Sequence, residues 1–212
     1  MGVFITFEGQ EGAGKSTMAK LLYEYLIKKD FAQENIILTR EPGGTCVSEE
    51  IRSIVQNNAF KNLAPKAEAL LFLASRAQLV SEVIKPALDL GKIVICDRFI
   101  DSTIAYQGFG NGINLGDLEF LNAFSAENLI PDITFLLRID PKIGLQRKKT
   151  DGVLDRIESK ELKYHENIHK GYIWAQNAYK ERIIAIDSSD SEAKVWSIIE
   201  KNIDNLFNKE EQ

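Results

Sequence analysis

The sequence predicts an α/β fold, a five-stranded parallel sheet with helices on both faces, and three observations predict it. Short apolar runs rich in β-branched residues recur at 3–7, 36–39, 93–96, 133–137 and 183–186. Helical stretches separate them, as parallel strands require, since each must cross back to the starting edge before the next begins. At the first crossover, Gly9-Gln10-Glu11-Gly12-Ala13-Gly14-Lys15-Ser16 reads G-x-x-x-x-G-K-S, between an apolar strand and an amphipathic helix. That context gives the phosphate-loop pattern its meaning.

The elements follow in order. After the strand at 3–7, a helix over 14–29 carries Met18, Leu21, Leu22, Tyr25 and Leu26 on one face. The strand at 36–39 leads to a helix over 47–56 and a strongly apolar one over 66–85. Ile93-Val94-Ile95-Cys96 is continuously apolar, which suits a central strand buried on both faces. Helices over 117–125, 141–149, 159–180 and 191–207 alternate with the last two strands, and the polar residues 208–212 are expected to fray. Residues 107–116 and 150–155 are polar and glycine-bearing and read as loops. No stretch rich in Pro, Gly or Ser divides the chain, so 1–212 reads as a single domain.

Composition narrows the function classes. The 212 residues hold 26 Lys and Arg against 31 Asp and Glu, a net charge of −5. That argues against a duplex-binding protein, which carries a basic face. No apolar run approaches a membrane span. Cys46 and Cys96 stand apart, without metal-binding or redox spacing, which suits a reducing cytoplasm.

Ligands in such sheets bind beyond the carboxyl ends of the strands. Gly9, Gln10, Glu11, Gly12, Ala13, Gly14, Lys15, Ser16 and Thr17 form the candidate triphosphate cradle. Its backbone N–H groups and the helix N-terminus face phosphate, Lys15 adds a positive charge, and the Ser16 hydroxyl suits Mg²⁺. Asp97, ending the third strand, is a candidate Mg²⁺ partner, and Arg98 a bidentate phosphate ligand; a strand-end ion pair is the plainer reading. Arg40 and Arg52 bracket Pro42-Gly43-Gly44, either as ligand-facing groups or as surface arginines on a solvated turn. Phe72 and Arg76 lie one turn apart on the apolar helix. Phe72 reads by default as core, but a cation beside it demands an anion or a polar ligand edge. Arg147, Lys148 and Lys149 end the helix before 150–155, either complementing its C-terminus or serving a mobile lid at about 142–156. His165-Glu166-Asn167-Ile168-His169 matches a zinc-protease pattern, but these are the only two histidines and a third ligand would have to be a carboxylate. A GTP-binding switch is disfavoured: Asp97 precedes Arg98-Phe99-Ile100 instead of x-x-Gly, and Asn208-Lys209-Glu210-Glu211 lacks the guanine-reading aspartate.

Five blocks, F-E-G-Q-E-G-A-G-K-S, T-R-E-P-G-G-T, L-L-F-L-A-S-R-A-Q-L, D-R-F-I-D-S-T-I-A-Y-Q-G and L-D-R-I-E, follow one another in order along the chain. On these the chain resembles the thymidylate kinase family. The resemblance implies the P-loop kinase fold and transfer of the γ-phosphoryl group of ATP to dTMP, with Mg²⁺, on the way to dTTP. It implies that Phe72 stacks on thymine, that Arg76 bonds its exocyclic oxygen, and that Thr103 and Gln107 face the base edge. Tyr106 is then placed beneath the sugar, Arg98 on the acceptor phosphate with Arg40 and Arg52 nearby, and Glu8 near both the metal and the acceptor. Gln10-Glu11 in the phosphate loop resembles the bacterial type, in which the lid supplies the catalytic cations. This lid holds fewer arginines than that type, so Arg147 and Arg156 are the expected donors, with Lys149 in reserve. A homodimer is also implied.

Overall fold

Seven consecutive buried residues make β1 (Val3–Gly9) a strand enclosed on both faces, and it takes the middle of the sheet. The computed structural model describes residues 2–29 and 31–208; of residues 208–212, expected to fray, Asn208 is helical and 209–212 lie outside the described residues. β2 (Ile36–Arg40), β3 (Ile93–Asp97), β4 (Ile133–Arg138) and β5 (Ile183–Asp187) complete a five-stranded sheet in the order β2-β3-β1-β4-β5, every pairing parallel.

The alternation of β1 divides the core. Val3, Ile5 and Phe7 face one layer, where they pack with Met18, Leu22 and Leu26 of α1 (Lys15–Lys28) and Val195, Ile199 and Ile203 of α9 (Glu192–Asn208). Phe4 faces the other, against Leu79, Val94 and Phe99. Thr6 shares that second face and satisfies its hydroxyl on Thr134 Oγ1 at 2.7 Å, as a buried hydroxyl must. Glu8 is next on that face, which decides its role below.

The second layer is built from α2 (Cys46–Gln56), α3 (Pro65–Leu79) and the segments that follow. The single helix expected over 66–85 is α3, then a π-helical stretch at Val80–Ile84, then α4 (Lys85–Asp89). Pro86 supplies the reason: it lacks an N–H and crowds the carbonyl four residues back, and the wider π turn gives room. The larger departure is at 107–116, expected as loop. Chain continues helically through α5 (Ile100–Thr103) and a π-helical stretch at Ile104–Gly110, before α6 (Leu115–Ser125). Here glycine serves close packing instead of breaking helix. A Cβ on Gly110 would stand 2.7 Å from the ring of Tyr164, and one on Gly171 would stand 2.7 Å from Ala105 Cα. Tyr164 and Gly171 belong to α8 (Leu162–Ala178), which lies against this stretch.

The segment 142–156, expected to act as a lid, consists of α7 (Pro141–Asp151) and the turns after it, so helix replaces the start of the loop expected at 150–155. Asp140 caps α7 by accepting from Lys142 N at 2.8 Å. No described helix is long and apolar enough to cross a membrane.

The phosphate loop and α7 meet backbone to backbone. A Cβ on Gly12, whose φ is 70°, would lie 2.2 Å from Gly144 O, and one on Gly144 would lie 2.3 Å from Glu11 O. Neither neighbour is a flexible side chain that can yield. Gly144→Ala is therefore expected to cost about 1–3 kcal/mol, read as a fall in melting temperature; an unchanged transition would show that the approach is slack.

Candidate functional site

The phosphate loop leaves β1 at Gly9 and enters α1 through Gly14, which stands at the helix N-cap with φ 87° and no side-chain cap. The first amides of α1 therefore point outward uncapped by any side chain, which is what an anion requires. Lys15 is buried and donates to Gln10 O at 2.7 Å. Burial, then the neighbouring Arg98 charge, lowers its pKa to about 8. An arriving polyanion favours the charged ammonium and can draw it from that carbonyl.

β1 and β3 pair Phe7 with Asp97, so the carboxylate emerges beside the loop. Ser16 Oγ donates to Asp97 Oδ2 at 2.5 Å, while Asp97 Oδ1 is buried with no hydrogen-bond partner. Two hard oxygens side by side, one of them orphaned, fit Mg²⁺ held directly or through water.

These groups open on a cavity of about 630 Å³ at the carboxyl ends of β1, β2 and β3. Its lining falls into two sets. Gly12, Gly14, Lys15, Ser16, Thr17 and Arg147 come from the loop, α1 and α7; Phe72, Arg76, Thr103, Tyr106 and Gln107 come from α3 and the α5 region. Arg40, Arg52, Asp97 and Arg98 also line it. Seven cations and five carboxylates face this one space. A chain of net charge −5 thus presents a cationic site fit for phosphates.

Most sequence-predicted residues converge here, with their own partners. Arg40 Nη2 forks onto Glu49 at 2.8 and 3.0 Å, and Arg52 Nη1 donates to Pro42 O at 2.8 Å. Burial, then Arg40, lowers the pKa of Arg52. Arg98 has φ 76°, a backbone conformation unusual for a side-chain-bearing residue, which aims its guanidinium across the site. That group donates to Gly9 O at 2.9 Å and lies over the Tyr106 ring at 4.9 Å.

Arg76 is 2% exposed and has all five donors engaged. Nε and Nη2 reach Glu41, Nη2 also reaches Phe99 O, and Nη1 reaches Thr103 Oγ1 at 2.9 Å and Asn122 Oδ1 at 2.6 Å. Thr103 accepts from it, which leaves the threonine proton for a second acceptor. Burial raises the pKa of Glu41, opposed by the Arg76 charge. Glu41 also lines the cavity and was missed in sequence; its place in Arg40-Glu41-Pro42-Gly43-Gly44 was the available signal.

Glu11 is not turned into the triphosphate cradle. Its Oε1 accepts from Tyr106 OH and, at 3.4 Å, from Arg98 Nη2, so its carboxylate belongs with the second set. Burial acts to raise its pKa, but His165, Arg98 and Lys15 outweigh that and hold it well below the usual range.

Six residues expected at the site do not line this cavity. Gly9, Gln10 and Ala13 shape the loop without lining the cavity, and Gln10 turns to α8, donating to His165 O at 2.9 Å and contacting His169 Nδ1 at 2.9 Å. Glu8, expected at the metal and the acceptor, is fully buried and does not line the cavity. Its oxygens accept from Phe99 N at 2.7 Å, Ser102 N at 3.1 Å, Ser102 Oγ at 2.6 Å and Tyr172 OH at 3.0 Å. It ties α5 and α8 to the sheet, because β1's alternation sends it to the Phe4 face. Arg156, expected over the transferring phosphate, is buried outside the cavity, donating to Val55 O at 2.8 Å and Glu68 Oε2 at 2.7 Å. Asp155 Oδ1 accepts from Ile157 N and Glu158 N at 2.8 Å each in the turn that carries Arg156. Lys149 is exposed, and Lys148 lines the cavity in its stead, 3.2 Å from Glu158. His165 and His169 diverge, the first 3.6 Å from Glu11 Oε2 and the second on Gln10, so the zinc-like pattern does not assemble a site.

A sequence model of the family described as thymidylate kinase matches residues 7–199. The chain is 45% identical to the thymidylate kinase of Exiguobacterium sp. strain AT1b over 190 residues, covering 90% of this chain and 88% of that one. It is 46% identical to that of Roseiflexus sp. strain RS-1 over 203 residues, again covering 90% and 88%. A crystal structure of thymidylate kinase from Ehrlichia chaffeensis superposes with a TM-score of 0.78 at 34% identity, covering 96% of this chain and 98% of that one.

Burial, then the Asp101 charge, raises the Glu8 pKa from the ordinary 4.5 to about 7. Between those values the folded protein holds a proton that the unfolded chain has released, so Glu8 makes stability fall as pH rises through that window. Urea denaturation at pH 5 and pH 8 is expected to show this loss, up to about 3 kcal/mol, and Glu8→Gln to remove most of it. Parallel pH profiles in the two proteins would show that Glu8 titrates normally.

Proposed function

The chain belongs to the thymidylate kinase family, and on that footing we propose that it transfers the γ-phosphoryl group of ATP to dTMP, giving dTDP and ADP on the path to dTTP. The observation that carries this reading is one cavity whose two sets of lining residues suit two different ligands: an uncapped helix N-terminus with Lys15 for a triphosphate, and an aromatic wall with buried polar edges for a base.

The acceptor set reads in order along the nucleotide. Phe72 stacks on the thymine, Thr103 and Gln107 meet its edge, and Arg76 acts mainly by holding Thr103. Tyr106 and Glu11 lie under the sugar, where a ribose 2′-hydroxyl crowds the ring. Arg98, with Arg40 and Arg52, takes the acceptor phosphate. Wrong bases leave these buried donors and acceptors unpaired, a penalty of about 1–3 kcal/mol each.

Lys15 and the α1 amides hold the donor's phosphates, and Arg147 reaches over them from the lid, where it now donates to Gly12 O and Ser188 O at 3.3 Å. Lys148 stands beside it. Ser16 and Asp97 are the residues that would hold Mg²⁺, whose contribution is to neutralise charge on the phosphates. An oxygen of the acceptor phosphate forms the new bond to the γ-phosphorus, the bond to the β–γ bridging oxygen breaks, and ADP leaves. Positioning and charge neutralisation suffice, with no covalent enzyme intermediate.

We read 1–212 as one kinase domain with its lid at about 142–156. Leu70 on α3 and Phe120 and Phe124 on the adjacent α6 are 57%, 71% and 76% exposed, an apolar face suited to a second copy of the chain.

A coupled ADP-release assay across monophosphates is expected to favour dTMP, and preference for GMP or UMP would overturn the assignment. Lys15→Ala should lower kcat by about 10³-fold or more, whereas Phe72→Ala should chiefly raise the KM for dTMP, by about tenfold; an unchanged KM would end the stacking role. Sedimentation is expected to give a dimer that Phe124→Glu dissociates, and a monomeric wild type would rule the dimer out.

A further inference from the structure

Glu68 lies on α3 one turn before Phe72, is 1% exposed, and does not line the cavity. Four side chains from other segments converge on it. Oε2 accepts from Arg156 Nη2 at 2.7 Å and Lys160 Nζ at 3.5 Å, and Oε1 accepts from Asn111 Nδ2 at 2.7 Å and Gln107 Nε2 at 3.3 Å. Burial acts to raise its pKa, but Lys160, Arg156 and Asn111 together lower it, so Glu68 is an ionised carboxylate.

An ionised carboxylate accepts hydrogen bonds and has none to donate. The end of the Gln107 amide that faces it must therefore be the NH₂. Gln107 also lines the cavity, and its Oε1 makes no hydrogen bond among the described residues. Unconstrained, a glutamine can offer a pocket either end of its amide; here the neighbour fixes the choice.

We propose that Glu68 is a positioning residue for acceptor selection: it turns the Gln107 carbonyl toward the base, so that the site favours a pyrimidine with a ring N–H donor over one with a bare acceptor nitrogen. Thymine and uracil carry that imide N–H; cytosine does not. The inference rests on the reading that Gln107 meets the acceptor base. It also gives Arg156 a task away from the transferring phosphate, since the lid's arginine keeps Glu68 charged.

Glu68→Gln replaces an obligate acceptor by a group that can do both, and frees Gln107 to present either end. The kcat/KM ratio for dTMP over dCMP is expected to fall by about tenfold or more, through the KM values of the monophosphates and not that of ATP. General structural damage lowers both substrates together and leaves the ratio in place. In a Gln107→Leu background the same substitution should leave the ratio where Gln107→Leu alone puts it. An unchanged ratio in folded Glu68→Gln overturns the proposal. A crystal structure of the wild type with dTMP tests it without any variant: the Gln107 amide should bridge Glu68 and the ring N–H, and a separation from that nitrogen beyond about 4 Å overturns it. Wild-type enzyme that phosphorylates dTMP while the variant keeps its ratio sinks this proposal alone; wild-type enzyme inactive on dTMP sinks the reading beneath it.

Discussion

Charge removed from water must find a partner or cost several kcal/mol, and the carboxyl end of this sheet removes a great deal of it. Glu8, Glu11, Glu41, Glu68, Lys15, Arg76 and Arg156 are all buried there. Their pairings fix which segments touch. Arg76 on Glu41 ties α3 to the turn after β2, Arg156 on Glu68 ties the turns after α7 to α3, and Glu8 ties β1 to α5 and α8. Remove one partner and the other is left charged in a poor solvent, so the network holds the site in one arrangement.

The same network separates groups that build the site from groups that act in it. Arg76 and Glu8 are saturated by well-formed bonds to side chains and backbone, and Arg156 is anchored on Glu68 and Val55 O at 2.7 and 2.8 Å. Lys15 and Arg147 instead rest on loop and strand-end carbonyls, the second at 3.3 Å, and Asp97 keeps one oxygen without any partner. Carbonyls hold a cation less strongly than phosphate does. The weakly partnered set gathers where the proposed function puts a triphosphate and a metal ion, and the firmly anchored set surrounds it.

The strands and the phosphate loop were legible in sequence because each depends on local pattern: apolar runs of the right length, and glycines at fixed spacing before a lysine. All five strands and the helices from α1 to α9 stand near their expected places, with α4 and α5 as the exceptions. The π-helical stretch at Ile104–Gly110 was hidden by Gly108, Gly110 and Gly112, which read as turn residues although Gly110 serves contact with α8. Phe72, Arg76, Thr103, Tyr106 and Gln107 were named in sequence and share the cavity wall. Glu8 and Arg156 were also named, yet lie outside that wall, because their partners, Tyr172 and Glu68, are 164 and 88 residues away along the chain. Spacing shows that a charge is present; only the fold shows what answers it. The two histidines of the zinc-like pattern teach the same lesson, since each meets a different phosphate-loop residue.

The opposed glycines Gly12 and Gly144 leave no side chain between the phosphate loop and α7 to act as a cushion. Any reshaping of the loop is handed to α7 without slack, and Arg147, three residues past Gly144, is carried with it. On the proposed reading, donor occupancy and the reach of Arg147 are thereby geared together, two bare stretches of backbone serving as the teeth.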